Sequence, residues 1–142
     1  LQVLGILRRG DAEQAARAPL PGLDDIEALV ERSRRAGDDV TLTSTPVTVA
    51  GTTGYVAYRV VQEALTNARK HAPGQPVVVR VMPSGGGVRV EVTNPMVPAE
   101  LGPERGLAGM RERVDGLGGR FLAGPHGESF VVDVLLPAGS VS

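Results

Sequence analysis

Two valine-rich runs separated by a short glycine-rich stretch place the strongest constraint on how this chain folds. Residues 77–82 and 88–93 are dominated by valine, and the residues between them read Pro-Ser-Gly-Gly-Gly. Short glycine-rich connections join neighbouring antiparallel strands, so the sequence predicts a β-hairpin here. A second strand pair is predicted at residues 120–123 and 130–136, with the Gly-Pro-His-Gly stretch that begins at Gly124 as its turn.

Helical periodicity surrounds these strands. Amphipathic helices are predicted over residues 23–36, from about Thr52 to His71, and over residues 107–117. Short strands or extended segments around Pro46 are predicted at residues 40–43 and 47–49. Because strands are joined by short turns while the helices are set apart, we predict an α+β fold. It is a two-layer sandwich with a mixed, mainly antiparallel sheet and helices on one face, which fits better than a doubly wound parallel sheet.

Length and composition limit the number of domains and the kinds of partner that we expect. A chain of 142 residues suits one domain, which we place at 22–138, after an upstream helix end and linker at 1–21 and before a tail at 139–142. The balance of 15 basic and 16 acidic residues gives no electrostatic reason to expect nucleic acid as a partner. The absence of cysteine excludes disulfides and thiolate metal sites, and it suits a cytoplasmic protein.

The long helix carries a polar stripe that can hold a charged ligand. Glu63 and Asn67 lie one helical turn apart, with Lys70 about one turn further on. A carboxylate, a carboxamide and an ammonium in line can activate a nucleophile, coordinate a hard cation and meet phosphate charge. The alternative is a plain solvated helix face, which spacing alone favours.

The residues of this helix and of a later segment resemble known motifs. Residues 59–72, RVVQEALTNARKHA, resemble the N-box of bacterial histidine kinases, in the subfamily typified by the nitrate-sensing and membrane-fluidity-sensing kinases. Residues 106–114, GLAGMRERV, resemble the second glycine box of these kinases, and the Leu-Gly-Gly from Leu117 with the closing strands to Pro137 resembles their C-terminal signature. The resemblance covers residues 23–137. It implies the ATP-binding catalytic domain of a two-component sensor histidine kinase, with the Bergerat (GHKL) sandwich shared with gyrase and heat-shock-90 chaperones.

The resemblance implies a role for each matched side chain. Asn67 is expected to coordinate the Mg²⁺ bound to the ATP phosphates, and Glu63 to act as general base toward the attacking histidine. Lys70 and His71 match residues that approach the phosphates. The other positions expected to contact the nucleotide are Asn94, Met96, Gly106, Leu107, Ala108, Gly109, Met110 and Ser129.

Glycines at the start of the third helix suit a phosphate. Gly106 and Gly109 let an anion approach backbone N–H groups at a helix N-terminus. In isolation, such a Gly-x-x-Gly pair more often marks only the junction between a loop and a helix. Residues 94–105 resemble the ATP lid, which is expected to be mobile until nucleotide arrives. Ser129 fits a hydroxyl at a strand start at least as well as it fits a nucleotide contact.

The chain departs from the family pattern at one position. Asn94-Pro95-Met96 stands where the family has Asp-x-Gly, whose aspartate binds the adenine amino group. Asn94 can still accept a hydrogen bond, but without charge it is expected to hold adenine less firmly. Met96 fills space that glycine leaves open.

The expected function follows from the resemblance. The chain should bind Mg·ATP and pass the γ-phosphoryl group to a histidine on a dimerisation and phosphoacceptor domain of the same parent, for relay to a response regulator. Neither of its histidines, His71 and His126, has a helical phosphoacceptor context, so the piece should not phosphorylate itself. Dimerisation is expected to reside in the dimerisation domain, so the piece by itself should be monomeric. Alternatives are a degenerate nucleotide-sensing or scaffold domain and an anti-sigma-factor serine kinase of the same fold. Anchoring of the parent in the plasma membrane stays open.

Overall fold

The computed structural model describes residues 19–95 and 105–139 of the chain. Its helices are α1 (Ile26–Arg35), α2 (Gly51–His71) and α3 (Arg105–Gly116), and a 3-10 turn at Leu23–Asp25 leads into α1. Its strands are β1 (Val40–Ser44), β2 (Val77–Ser84), β3 (Gly87–Pro95), β4 (Arg120–His126) and β5 (Ser129–Leu136). Most of the predicted linker at 1–21 and tail at 139–142 lies outside the described residues, so that division of the chain stays a prediction.

The strands form one mixed sheet of five strands in the order β1-β2-β3-β5-β4. Strands β1 and β2 run parallel, because α2 connects them as a crossover, whereas every other neighbouring pair is antiparallel. Helix α2 contacts β2, β3 and β5, and it also contacts α1 and α3. The predicted α+β sandwich with a mainly antiparallel sheet is confirmed.

Both predicted hairpins form, but the second turn is shorter than expected. Ser84 pairs with Gly87 across Gly85 and Gly86, whose φ angles of 53° and 84° suit the two-residue turns that connect antiparallel strands. In the second hairpin His126 pairs with Ser129, so the predicted turn residues 124–126 belong to β4. The prediction was wrong because β4 is an edge strand, where a proline is tolerated.

Of the two alternatives predicted for residues 47–49, a short strand or an extended segment, the described structure forms no strand there. The N–H of Thr45 donates to the Val81 carbonyl at 2.9 Å, and the next residue, Pro46, has no N–H to continue the ladder. Val47 and Val49 instead pack against the core as part of an extended connection to α2.

The core lies between α2 and the inner face of the sheet. Alternate residues of each central strand are buried, as expected for a sheet covered on one side. The most completely buried members are Ala57, Val60, Val61, Val79, Val88, Val90, Val92, Val132 and Val134. Because these side chains hold α2 on the sheet, the polar residues at the rim of that interface are held in place too. None of the helices in the described ranges combines the length and apolarity needed to cross a membrane.

Candidate functional site

The polar stripe of α2 is not a plain solvated face. Thr66 and Lys70 are exposed, but Asn67 is only 9% exposed, a value typical of the core. Asn67 directly precedes the buried Ala68, at the border of the surface through which α2 packs on its neighbours. The alternative of a plain solvated face is therefore wrong at Asn67, whose side chain is buried.

Asn67 also has an unusual hydrogen-bonding state. Its Oδ1 atom is buried and finds no hydrogen-bond partner within the described ranges. A buried carbonyl oxygen left without a partner costs about 1–3 kcal/mol, so proteins keep one mainly where a water, an ion or a ligand completes it. Two further atoms of the same helix, Nε of Arg59 and Nε2 of His71, are buried in the same way, so the three atoms form a polar group along α2.

Glu63 lies one turn before Asn67 and is held by a neighbour. Its side chain is 27% exposed, and its Oε1 lies 3.4 Å from Nη2 of Arg59, one turn back along α2. The guanidinium of Arg59 also donates to the side-chain oxygen of Gln62. We did not assign a role to Arg59 from the sequence, although its spacing of four residues from Glu63 is the signal of a helical ion pair.

Asn94 ends β3 on the inner face of the sheet. It continues the series of buried residues Val88, Val90 and Val92, it is 7% exposed, and it pairs in register with Phe130 of β5. Its Nδ2 donates to the carbonyl of the following residue, Pro95, at 2.9 Å.

Two further predicted positions lie at or beyond this strand end. Ser129 pairs with Pro95, so the structure places Ser129 one register step from Asn94, and its side chain is half-buried. Met96 lies outside the described residues.

The glycine-box residues occupy the first turns of α3. Leu107 and Met110 point into the core, at 6% and 4% exposure, so only their backbone is free to meet a ligand. Ala108 is exposed, and a Cβ atom added at Gly109 would meet no described atom within 4 Å. Gly109 therefore leaves space beside the helix backbone as far as the described residues reach.

The remaining predicted residues lie at the end of α2. Lys70 is exposed and His71, half-buried, is the last residue of the helix. Helix α2 contacts both α3 and β3, the strand whose penultimate residue is Asn94.

The donors present fit a magnesium ion that arrives with phosphates. A side-chain amide oxygen is a ligand type that Mg²⁺ accepts, and Mg²⁺ is commonly held by one or two protein oxygens together with substrate phosphates. Among the described residues there is no group of three or more histidines and carboxylates that could hold a metal without such help. The unpartnered Oδ1 of Asn67 is the atom that would hold the ion.

The fold matches solved histidine kinases. The histidine kinase domain of the blue-light-activated kinase from Erythrobacter litoralis EL346 aligns at 24% identity over 80% of this chain and 57% of that chain, with a TM-score of 0.63. The mycobacterial sensor histidine kinase MprB aligns at 21% identity over 83% of this chain and 96% of that chain, with a TM-score of 0.59. Full-length ShkA in complex with AMPPNP aligns at 17% identity over 84% of this chain and 29% of that chain, with a TM-score of 0.61.

The match covers only part of two of these solved chains. The chain spans 57% of the Erythrobacter domain and 29% of full-length ShkA. No protein-family model and no curated protein sequence matches the chain. The shared architecture is nevertheless the one predicted from the N-box and glycine-box motifs. The chain therefore has the fold of the ATP-binding catalytic domains of histidine kinases.

Proposed function

We propose that this chain binds Mg·ATP and supplies the catalytic half of a histidine kinase, as the N-box and the glycine box imply. The γ-phosphoryl group would pass to a histidine on a separate dimerisation domain of the parent protein and from there to a response regulator. In that transfer the bond from the γ-phosphorus to the ADP oxygen breaks and a bond to the imidazole nitrogen forms.

The buried and unpartnered Oδ1 of Asn67 carries this proposal. A plain structural asparagine at 9% exposure would be expected to satisfy its oxygen from the protein. Its position one turn after Glu63 suits an ATP site, because phosphoryl transfer requires mainly positioning and charge neutralisation. The likeness to ShkA, whose structure holds AMPPNP, agrees with a nucleotide ligand.

The chain's own residues divide the remaining work. Glu63 would accept the proton that the attacking imidazole loses, and its ion pair with Arg59 at 3.4 Å holds the carboxylate until then. Gly109, in the second turn of α3, would leave room for a phosphate to approach the free N–H groups of the first turn, where the positive end of the helix dipole favours an anion. Lys70 would add charge toward the phosphates. A bound Mg²⁺ would neutralise phosphate charge at Asn67.

Calorimetric titration of Mg·ATP onto the chain tests binding. Asn67→Ala removes the metal-binding oxygen and should weaken binding about 10- to 100-fold, since a hydrogen bond or ligand contact to a charged group is worth about 1.5–3 kcal/mol. Thr66→Ala is the matched control, because Thr66 is the exposed neighbour on the same helix and should bind as the wild type does. Equal affinities for the two variants, or binding that survives chelation of magnesium, would contradict the proposal.

Phosphoryl transfer needs the parent protein. The full-length kinase incubated with Mg·ATP should acquire an acid-labile phosphohistidine, and Glu63→Gln should lower the rate of its formation while leaving Mg·ATP affinity close to that of the wild type. Binding without any phosphorylation would indicate a nucleotide-sensing domain instead. An acid-stable phosphoserine on a partner protein would indicate a serine kinase.

A further inference from the structure

The two outer strands of the sheet each have a side without a neighbouring strand. The order β1-β2-β3-β5-β4 places β1 and β4 at the edges. Along an edge strand the N–H and C=O groups of alternate residues point away from the sheet, and the edge of a second copy can pair with them. Whether two copies of this chain can join their sheets therefore depends on what occupies these outward groups.

The outward residues of β4 follow from one hydrogen bond. The carbonyl oxygen of Phe121 accepts a hydrogen bond from Nη1 of Arg111 in α3 at 3.3 Å, so this carbonyl points away from β5. Because the direction of the main-chain groups alternates along an antiparallel strand, Ala123 and Pro125 share the orientation of Phe121. Pro125 has no N–H to offer. At both Phe121 and Pro125, one group that pairing would use is therefore occupied or missing.

The guanidinium of Arg111 stands where the backbone of an added strand would lie. Such a strand would place an N–H nitrogen about 2.9–3.0 Å from the Phe121 oxygen, and Nη1 of Arg111 takes nearly that place. The guanidinium also lies over the Phe121 ring, 5.0 Å from its centroid, and this cation–π contact holds the side chain along the edge. A strand that joined β4 would have to displace both contacts.

The opposite edge of the sheet carries the same arrangement. The N–H of Val77 in β2 donates to the carbonyl of Asp39, the residue before β1, at 2.8 Å, so the alternation makes Val40 the first outward residue. The Val40 carbonyl accepts a hydrogen bond from Nε of Arg34 in α1 at 2.9 Å. An arginine from a helix therefore bonds an outward carbonyl at each edge of the sheet.

We propose that Arg111 and Pro125 close the β4 edge against pairing with the β4 edge of a second copy of this chain. In an antiparallel pair centred on Ala123, Phe121 of one copy would lie opposite Pro125 of the other. The Phe121 carbonyl would then face a residue without an N–H, and the Arg111 side chain would occupy the space between the strands. In the single copy, Arg111 gives that carbonyl its hydrogen bond. The proposal is independent of the nucleotide site.

Sedimentation velocity at increasing protein concentration tests the closed edge. Pro125→Val restores the missing N–H, and Arg111→Met removes the guanidinium while keeping a long unbranched side chain. The double variant should self-associate about tenfold more tightly than Pro125→Val alone, the effect of one or two main-chain hydrogen bonds. The matched control is Arg113→Met in the same Pro125→Val background, because Arg113 is exposed on α3 and the substitution changes charge and size identically. The control should associate no more tightly than Pro125→Val alone.

Hydrogen exchange identifies the edge that pairs. In the self-associated double variant the Ala123 N–H should exchange about tenfold more slowly than in the dissociated protein, because pairing across the edge would bond it. Self-association without this protection would place the contact elsewhere and overturn the proposal. Equal self-association of the Arg111→Met and Arg113→Met double variants would also overturn it, whether both associate or neither does.

The wild type supplies a measurement that does not depend on whether a variant folds. The N–H groups of Leu122 and Gly124 point toward β5 and should exchange slowly, whereas the outward N–H of Ala123 should exchange about tenfold faster. An Ala123 N–H as well protected as those of its two neighbours in the monomer would mean that the edge is not arranged in this way, and it would contradict the proposal.

Discussion

Replacing Gly109 by alanine should change stability and nucleotide binding in opposite directions. In α3 the added Cβ meets no described atom within 4 Å, and the φ angle of Gly109 is not positive, so alanine fits without strain. Alanine is better than glycine in a helix by about 0.8–1.0 kcal/mol. The free domain should therefore gain up to about 1 kcal/mol, which raises Tm by about 2–4 °C for a domain near this size.

The same methyl group would occupy the open space beside the helix backbone where we place a phosphate. Gly109→Ala should consequently weaken Mg·ATP binding by about tenfold, the loss expected when one hydrogen bond to a charged group, worth about 1.5 kcal/mol, is blocked. Gly116→Ala is the matched control, because Gly116 ends the same helix and an added Cβ there also meets no described atom within 4 Å. It should leave nucleotide affinity unchanged.

Thermal unfolding and calorimetry on the three proteins decide the matter. If Gly109→Ala binds Mg·ATP as tightly as Gly116→Ala does, the glycine box has no role at the phosphates and the placement of the nucleotide is wrong. If Gly109→Ala lowers Tm, the space beside α3 is not open, and the expected gain in stability is wrong.

Two further predictions concern stability. Gly87→Ala should lower the free energy of unfolding by about 1–3 kcal/mol or more, as overpacking does, because the added Cβ would lie 1.9 Å from the Leu136 carbonyl oxygen. Chemical denaturation measures this loss. The control is Gly51→Ala, where the Cβ meets no described atom within 4 Å, and an equal loss in that variant would contradict the prediction. The hydrogen bond from Arg69 lowers the pKa of Asp38 below 3.8 in the folded protein, so the pair stabilises the fold above that pH and its contribution is lost as the pH falls through the folded-state pKa. Arg69→Met should therefore cost less than about 1 kcal/mol at pH 7, given the exposure of the pair, and less still at about pH 3; urea titrations that give the same difference at both pH values would contradict it.

Local patterns predicted most of the fold. Periodicity located all three described helices, and the glycine-rich connection between 82 and 88 predicted the β2–β3 hairpin. The predictions failed or stayed open where the pairing between strands decides the local structure. Pro125 marked a turn in the sequence, but it lies in the edge strand β4, where its missing N–H is not needed by a neighbour. For residues 47–49 the sequence left a strand and an extended segment open, and Pro46, which cannot continue the ladder from β1 to β2, decided against the strand.

For the candidate site too, the sequence predicted some features and only the structure decided the others. Motif resemblance selected Glu63 and Asn67, whose residue types match the N-box, and it selected Asn94 by position, where the family has aspartate. The sequence analysis did not predict that the side chain of Asn67 is buried. A helical wheel placed Asn67 in a polar stripe, but the structure buries it to 9% exposure and leaves its oxygen without a described partner.

By itself, the sequence determined which segments form helices and strands, since hydrophobic periodicity and turn residues act over a few neighbouring positions. It also determined the family resemblance through residues 59–72 and 106–114. Tertiary structure alone decided which polar atoms are removed from water and what they then bond. The orientation of the Asn94 amide depends on one carbonyl at 2.9 Å, and the accessibility of Asn67 depends on the elements that α2 contacts. Hydrogen bonding and desolvation act over a few ångströms in space, between groups whose separation the order of residues does not state.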